Sequence, residues 1–340
     1  MVAGMNAAPL PSLADRPGLT ARFTPLLARL LPLALLAPIG STAAPACPPA
    51  IAMPSEAQAQ SLAAQAPDRG LLYRLRRDGV DSYLYGTLHV GRMEWLFPGP
   101  RLREAMAQSR VLALELDLQD PATLQVLSQP PRHAEPLKLN EPQRKRMAAQ
   151  ASAACLPEQA LAGLHPILQL STYTVLQARW DGLDPSFGQE QMLSAWARQQ
   201  GRSVLALESA ERQQRALIPA RAAEARKALL KGLDQLERGQ VRPVLRRLAQ
   251  AWADGDLELL QNYERWCECI EDEQDRIELR RLNDERNPEL ARGIEALHAK
   301  GQPVLAAVGA LHLSGAQSLP RLLAQRGFEV ERLVPASDKR

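Results

Sequence analysis

The fold is decided by the stretch Pro303-Val304-Leu305-Ala306-Ala307-Val308-Gly309-Ala310-Leu311-His312. Its apolar run is continuous rather than alternating, which predicts a strand that is buried on both faces. A helix is predicted from about Ala316 to Arg326, and a last strand from Phe328 to Val334. Because strand, loop, helix and strand follow one another at this spacing, they predict a βαβ unit, and with it an α/β protein.

Further strands are predicted toward the amino end of the chain. The segments Leu71–Leu75 and Ser82–Tyr85 flank Asp78-Gly79, a tight-turn pair, which predicts a β-hairpin. The pentapeptide Val-Leu-Ala-Leu-Glu occurs at residues 111–115 and again at 204–208. Each copy predicts a buried strand that ends on a carboxylate.

Four regions follow from these patterns. Residues 1–46 are predicted to be a signal peptide, residues 47–69 a disordered linker, and residues 70–335 one α/β domain. Residues 210–297 within that domain are helical in pattern. The predicted architecture is therefore a central, mainly parallel or mixed sheet flanked by helices, with a large helical insertion at 210–297.

The signal peptide is predicted from charge and length. Arg16, Arg22 and Arg29 precede a short apolar run at residues 30–39, and Ala44-Pro45-Ala46 offers a cleavage site. The run is about half as long as the roughly twenty residues that a membrane helix needs. We therefore expect a periplasmic or secreted protein with no stable membrane span after cleavage. The formal net charge of +3, without a Lys/Arg run interleaved with aromatic residues, argues against nucleic acid as a partner.

Four cysteines fit an oxidising compartment. Cys155 is predicted to pair with Cys267 or Cys269, and the sequence does not choose between them. Cys267-x-Cys269 as half of a zinc site is disfavoured, because no second Cys/His pair stands at suitable spacing. Cys47 would lead the mature chain, and a lipid anchor there is a minority alternative.

The candidate chemistry lies at predicted strand ends. Gly-x-x-His follows a strand twice, ending at His89 and at His312, and the two pentapeptides end on Glu115 and Glu208. In α/β folds, ligands bind beyond the carboxyl ends of strands, where these four side chains could converge. Two imidazoles and one carboxylate suit a divalent metal such as Mn, Co or Zn, and a second carboxylate could take a proton from water.

Ordinary structural roles compete with this interpretation. A single strand-end histidine is more often a hydrogen-bonded structural residue than a ligand. Glu115 could be a buried acid paired with an arginine, and Glu208 could be paired with Arg202 or Arg212, its neighbours in sequence. The remaining histidines lack a partner motif and are assigned structural roles: His133, His165 and His298.

The motifs together resemble the TraB/GumN proteins, a family that includes the Tiki metalloproteases. The resemblance runs from about Leu71 to Leu333 and rests on the order and spacing of six elements. They are Tyr85-Gly86-Thr87-Leu88-His89, Ala113-Leu114-Glu115, Gly188 with the helix to Gln200 followed by Leu207-Glu208 and Gln213, Trp252-x-x-Gly255-Asp256-Leu257, Glu285-Arg286-Asn287-Pro288, and Val308-Gly309-Ala310-Leu311-His312-Leu313-x-Gly315.

The resemblance implies an EreA/ChaN/Tiki-like fold and a metal site made of His89, His312 and Glu115. Proteolysis is known for the Tiki branch. Arg286, in the family's Arg-Asn element, would lie near the site as a charge partner or a clamp for the substrate carbonyl. Glu190 stands near a position where relatives often carry an aspartate, and it receives no role.

The sequence thus predicts an exported metal-dependent hydrolase, in the first place a peptidase acting on a peptide or protein. Glu208 or Glu115 would handle the proton, and Arg286 would stabilise charge on the carbonyl oxygen. Two alternatives stay open. One is a non-catalytic protein that binds a peptide or polysaccharide, suggested by the long helical insertion. The other is an esterase-like hydrolase without metal, in which His89 is the general base.

Overall fold

Six strands form one sheet within the residues that this computed structural model describes, 47–49 and 51–335. They are β1 Leu71–Arg77, β2 Val80–Thr87, β3 Val111–Leu114, β4 Ser203–Ala206, β5 Val304–Gly309 and β6 Glu329–Arg332. Their order across the sheet is β4-β3-β5-β2-β1-β6. Strands β4, β3, β5 and β2 pair in parallel, while β1 is antiparallel to β2 and to β6. The predicted mixed sheet of an α/β fold is confirmed.

Helix α1 precedes the sheet, and the other helices lie in the connections that follow β2. The helices are α1 Glu56–Gln65, α2 Pro100–Gln108, α3 Pro121–Leu127, α4 Glu141–Ala153, α5 Pro166–Leu176, α6 Gln189–Gln199, α7 Ala210–Leu217, α8 Ala222–Glu237, α9 Val241–Ala253, α10 Leu257–Gln261, α11 Tyr263–Trp266, α12 Glu273–Leu282, α13 Asn287–His298 and α14 Leu319–Gln325. The predicted insertion at 210–297 corresponds to α7 through α13. No helix in the described part of the chain is long and apolar enough to span a bilayer. The predicted signal peptide lies outside the described residues.

The two local predictions made from turn and spacing patterns are confirmed. Asp78 and Gly79 both take left-handed backbone angles, with φ of 52° and 76°, and Arg77 pairs with Val80 across the turn. This is the geometry that an Asp-Gly hairpin turn requires. In the carboxyl-terminal unit, α14 connects β5 to β6, which run in the same direction with β2 and β1 between them. The βαβ unit therefore spans four of the six strands.

Strand β4 differs from its prediction. The two identical pentapeptides predict two buried strands, but only β3 is buried, because it lies between β5 and β4. Strand β4 is at the edge of the sheet, and Leu205 on it is 37% exposed. The sequence of a pentapeptide does not determine how many strands pair with it, so the same five residues occur here in a central strand and in an edge strand.

The predicted linker contains a helix. Helix α1 begins after a capping box in which the Ser55 side chain accepts from the backbone of Gln58 and the Gln58 side chain accepts from the backbone of Ser55. None of its residues is buried, and contacts from the α2 region tie down the segment: Arg101 N donates to Asp68, and Arg103 donates to Ala63 O. The segment is rich in Ala, Ser and Gln. This composition predicts disorder, but it is equally compatible with a solvent-exposed helix.

The predicted cysteine pairing is wrong. Cys155 bonds to Cys47, with 5.8 Å between their Cα atoms, and Cys267 bonds to Cys269. No cysteine in the described residues is free. The sulfur of Cys47 is therefore used in a disulfide, which argues against the lipid anchor considered there. Cys47 lies at the start of the segment predicted to be a disordered linker, and such a segment predicts no fixed partner for its cysteine.

Two hydrophobic clusters organise the interior. The larger surrounds the sheet and includes β3, β5 and the adjoining faces of α6 and α13. The smaller one joins α4, α5 and α8, with Tyr173, Leu229 and Leu233 among its most buried members. Helices α4 and α5 precede β4, whereas α8 follows it. The helical layer is thus built from two connections of the sheet rather than from residues 210–297 alone.

Candidate functional site

The candidate site lies where parallel strands end. Glu115 follows β3 directly, Glu208 lies two residues beyond β4, and His312 lies in the 3₁₀ turn Ala310–Leu313 after β5. Because these strands are parallel neighbours, their carboxyl ends meet at one edge of the sheet. The structure brings all three side chains into contact with Arg286, which immediately precedes α13.

Arg286 joins the two glutamates. Its Nη2 contacts both Glu115 Oε2 and Glu208 Oε1, and its Nε donates to Glu208 Oε2 at 3.2 Å. Its Nη1 donates to Leu282 O at 2.9 Å, at the end of α12. The arginine is 8% exposed and the Glu208 side chain is fully buried. Of the two sequence neighbours considered as partners for Glu208, Arg202 donates to Met106 O and Ala107 O instead, whereas Arg212 Nε lies 3.8 Å from Glu208 Oε2.

The two glutamates have different electrostatic environments. Burial opposes ionisation of Glu115, but electrostatic interactions with His312 and Arg286 and the N–H of Gly309, 2.6 Å from Oε1, outweigh it and lower its pKa to about 2. Burial raises the pKa of Glu208, although Arg286 counteracts that shift. Glu115 is therefore the more acidic carboxyl group of the pair and Glu208 the more basic one.

The glycines of the two Gly-x-x-His motifs serve close packing. A Cβ on Gly309 would lie 3.3 Å from Glu115 Oε1, and a Cβ on Gly86 would lie 3.2 Å from the Cα of Ala310. Neither glycine has a positive φ. The two glycines therefore allow neighbouring groups to approach closely without a left-handed turn.

His312 has a defined tautomer. Asn287 donates through Nδ2 to Gln317 O at 2.8 Å and to His312 O at 3.3 Å, so its Oδ1 faces His312 Nδ1 at 2.6 Å and must accept from it. The proton of the neutral imidazole is thus on Nδ1, and the lone pair of Nε2 points toward Arg286 Nη1, 3.2 Å away, and Glu115 Oε1, 3.5 Å away. Burial lowers the pKa of His312 to about 4, so the ring is neutral near pH 7.

His89 occupies a more open position. Its side chain is 71% exposed, and Nδ1 lies 3.2 Å from Glu190 Oε1, which also accepts from Thr87 Oγ1 at 2.6 Å. Glu190 raises the pKa of His89, an effect that the surrounding water weakens. His89 makes no direct hydrogen bond or ion pair to the Arg286 group among the described residues, but it is close enough for its charge to lower the pKa of both Glu115 and His312.

The sequence assigns no role to Glu190, which the structure places beside His89. It lies in the first turn of α6, and the loop before that helix is joined to the segment after His89. Gly91 and Asp184 exchange two backbone hydrogen bonds, and a Cβ on Gly188 would lie 2.9 Å from His89 O. Gly188 is one of the residues on which the family resemblance rests, and its lack of a side chain is the sequence feature that permits this loop to approach the first Gly-x-x-His motif.

The remaining histidines have structural hydrogen bonds. His298 Nδ1 is 2.8 Å from Ser82 Oγ, and its Nε2 donates to Arg77 O. His133 Nε2 donates to Ile218 O, and His165 Nδ1 accepts from Ile167 N. These contacts agree with the structural roles expected for all three.

The donor chemistry of the site suits a divalent metal, although its side chains are not gathered around a single point. Among residues 47–49 and 51–335, no three His, Cys, Asp or Glu side chains are grouped as a ready metal site. Contacts at Nδ1 orient the rings of His89 and His312, Nε2 of His312 faces Arg286 Nη1 and would exchange that bond for one to a metal, and Glu115 is ionised beside His312. This pattern, an imidazole held through its other nitrogen, is common among metal-binding histidines.

Comparison with known proteins identifies the family. The model of the TraB/PrgY/gumN family matches residues 71–332, which include all six strands and every residue of the candidate site. Searches of curated proteins and of solved structures find no match to this chain. The matched region covers most of the sequence. The chain therefore belongs to the TraB/PrgY/gumN family.

Proposed function

We propose that this protein is an exported metal-dependent hydrolase, and in the first place a peptidase, whose divalent cation would be held by His89, His312 and Glu115. The observation that carries the proposal is the state of His312. It is buried, neutral and fixed by Asn287, with the Nε2 lone pair facing Arg286 Nη1 at 3.2 Å and the ionised Glu115 at 3.5 Å. A neutral imidazole and an ionised carboxylate together carry one negative charge and offer two metal-ligating atoms, Nε2 of His312 and Oε1 of Glu115. Such a pair favours the binding of a cation between them.

The two carboxylates suit different tasks. When bound, a cation such as Mn, Co or Zn would polarise the scissile carbonyl and acidify a water molecule. Glu115 stays ionised and suits a ligand, whereas Glu208, with its raised pKa, suits a group that accepts a proton and returns it to the leaving amine. Arg286 holds both carboxylates and offers a positive charge to the substrate carbonyl oxygen.

The proposal is tested by metal content and by activity together. The purified chain without residues 1–46 is expected to retain a transition metal at about one equivalent and to cleave members of a peptide library, with cleavage lost on chelation and restored by Mn, Co or Zn. His89→Ala and His312→Ala should lose both properties. His133→Gln, in the helical layer, is the matched control and should lose neither. Cleavage that persists after chelation and in the double histidine variant would exclude the proposal.

A hydrolase without metal is the second candidate, and one specific observation favours it. Arg286 contacts both Glu115 and Glu208 and offsets one negative charge, so the pair of acids is already partly neutralised by the protein itself. In that case, exposed His89, oriented by Glu190, would act as general base on water through Nε2. Ester cleavage that survives chelation but is abolished in His89→Ala selects this candidate, whereas loss of cleavage on chelation rejects it.

A further inference from the structure

The disulfide Cys267–Cys269 lies in the turn between α11 and α12 and is separate from the candidate site. Only Glu268 stands between the two cysteines, and it has a left-handed backbone with φ of 53°. A cross-link that closes so short a loop restrains the unfolded chain far less than Cys47–Cys155, whose cysteines are 108 residues apart. Stability alone therefore does not explain this bond.

The two sulfurs differ in a way that directs thiol attack. Cys267 is 1% exposed, whereas Cys269 is only half-buried and follows the exposed Glu268. The backbone N–H of Cys269 lies 3.2 Å from the sulfur of Cys267. A donor at that distance stabilises a thiolate, which makes Cys267 the better leaving group when a thiol attacks Cys269.

Helix α12 connects this disulfide to Arg286. None of its ten residues is buried. Near its start, Lys227 of α8 pairs with Asp272 at 3.2 Å on the surface, where such a pair contributes little, and Lys231 of α8 pairs with Asp275 at 2.5 Å in a partly buried contact. At its end, Leu282 O accepts from Arg286 Nη1. Arg281 Nε also donates to Ala216 O at 2.9 Å, so the turn before α12 is one of several restraints on a helix that supports the central arginine.

We propose that Cys267–Cys269 is a site of reversible reduction by a dithiol, and that its reduction loosens α12 and its contact with Arg286. A thiolate of the reductant attacks the Cys269 sulfur, forms a mixed disulfide and releases the Cys267 thiolate, which takes up a proton. The second thiol of the reductant then displaces Cys269. The protein gains two electrons and two thiols, and the reductant is oxidised to its disulfide.

The first experiment measures reduction at each disulfide in the oxidised chain. The protein is equilibrated with mixtures of reduced and oxidised dithiothreitol, its thiols are trapped with N-ethylmaleimide, and labelled peptides are quantified by mass spectrometry. Half-reduction of Cys267–Cys269 is expected at a ratio of reduced to oxidised reagent at least about tenfold lower than for Cys47–Cys155. Because Cys47 is itself exposed, accessibility alone does not predict this order. Equal ratios, or earlier reduction of Cys47–Cys155, would overturn the proposal.

The second experiment measures hydrogen exchange. Relative to the oxidised chain, the variant Cys267→Ser/Cys269→Ser should exchange backbone amides of residues 273–282 at least about fivefold faster, because local opening of α12 becomes easier. Exchange in β3 and β5 should stay unchanged, which shows that the variant folds. Cys47→Ser/Cys155→Ser is the control and should not affect α12 selectively. Unchanged exchange in α12 refutes the coupling, and since neither experiment uses catalysis, failure of the proposed function would not affect them.

Discussion

At the scale of single residues, Asn287 determines which nitrogen of His312 is available. Asn287→Leu removes the acceptor for Nδ1–H, so the ring can change tautomer, and we expect metal affinity to fall about 10- to 100-fold. Asn287→Asp keeps that acceptor and loses only the bonds donated to two carbonyl groups. It should therefore retain clearly more affinity than Asn287→Leu in a metal titration. Equal affinities for the two variants would contradict the assigned tautomer.

Arg286 is the second residue with a decisive electrostatic role. Arg286→Gln leaves Glu115 and Glu208 buried without their shared cation, and losing one partner of a buried ion pair costs about 3–5 kcal/mol. Urea unfolding at pH 7 measures this loss. The matched control is Arg212→Gln, because the Arg212 side chain is 31% exposed and its Nε lies 3.8 Å from Glu208 Oε2. If the two variants lose the same stability, Arg286 is not the main partner of the acids.

The sequence predicted the members of this site better than their pairing. Glu115, Glu208 and His312 could be found because each follows an apolar strand, and parallel strands bring their ends together. The link between Arg286 and Glu208 crosses 78 positions in the chain and depends on how α13 packs beside β5, which no local pattern encodes. Glu190 was not assigned for the same reason, since its contact with His89 depends on two loops joining.

At the scale of elements, Glu295 ties α13 to the end of β1 and to Arg326 after α14. It accepts from Arg77 at 2.8 Å and from Arg326 at 2.6 Å, and these bonds hold the pKa of Glu295 below its usual value. Because the folded pKa is below the unfolded one, its stabilisation is complete above the unfolded pKa and is lost as the pH falls through the folded pKa.

The corresponding variant is Glu295→Gln. Wild type should be the more stable protein at pH 7, and the difference should shrink steadily as urea unfolding is repeated from about pH 5 down to pH 3. Asp78→Asn is a suitable control, because Asp78 is 84% exposed and its single ion pair with Arg77 is at the surface. A difference between wild type and Glu295→Gln that is independent of pH would show that the effect is not electrostatic.

Element boundaries also show what local sequence can and cannot provide. The hairpin at Asp78-Gly79 was predictable because the two residues that form the turn also determine it. The exposure of strand β4 was not predictable, because it depends on the position of the strand at the sheet edge rather than on its amino-acid sequence. Helix α1 was missed because a polar, Ala-rich composition is shared by exposed helices and linkers.

At the scale of the whole molecule, Cys47–Cys155 joins the segment before the sheet to the end of α4. The cross-link closes a loop that contains β1, β2, β3 and the first Gly-x-x-His motif. For a loop of about a hundred residues, the loss of chain entropy in the unfolded state corresponds to about 4–5 kcal/mol, whereas for three residues it corresponds to about 1.5 kcal/mol. The two disulfides should therefore contribute unequally to the free energy of unfolding.

Urea unfolding of two double variants measures this difference. Cys47→Ser/Cys155→Ser should lose about 2–5 kcal/mol, and Cys267→Ser/Cys269→Ser should lose less than about 2 kcal/mol. Each double variant removes one disulfide bond and replaces two sulfur atoms by oxygen, so the chemical change is the same in both and the comparison isolates the effect of loop length. Equal losses would mean that local packing around the cysteines, rather than loop length, determines their effect. The predicted order would instead assign structural stability to the long loop and leave Cys267–Cys269 free for the reversible chemistry proposed above.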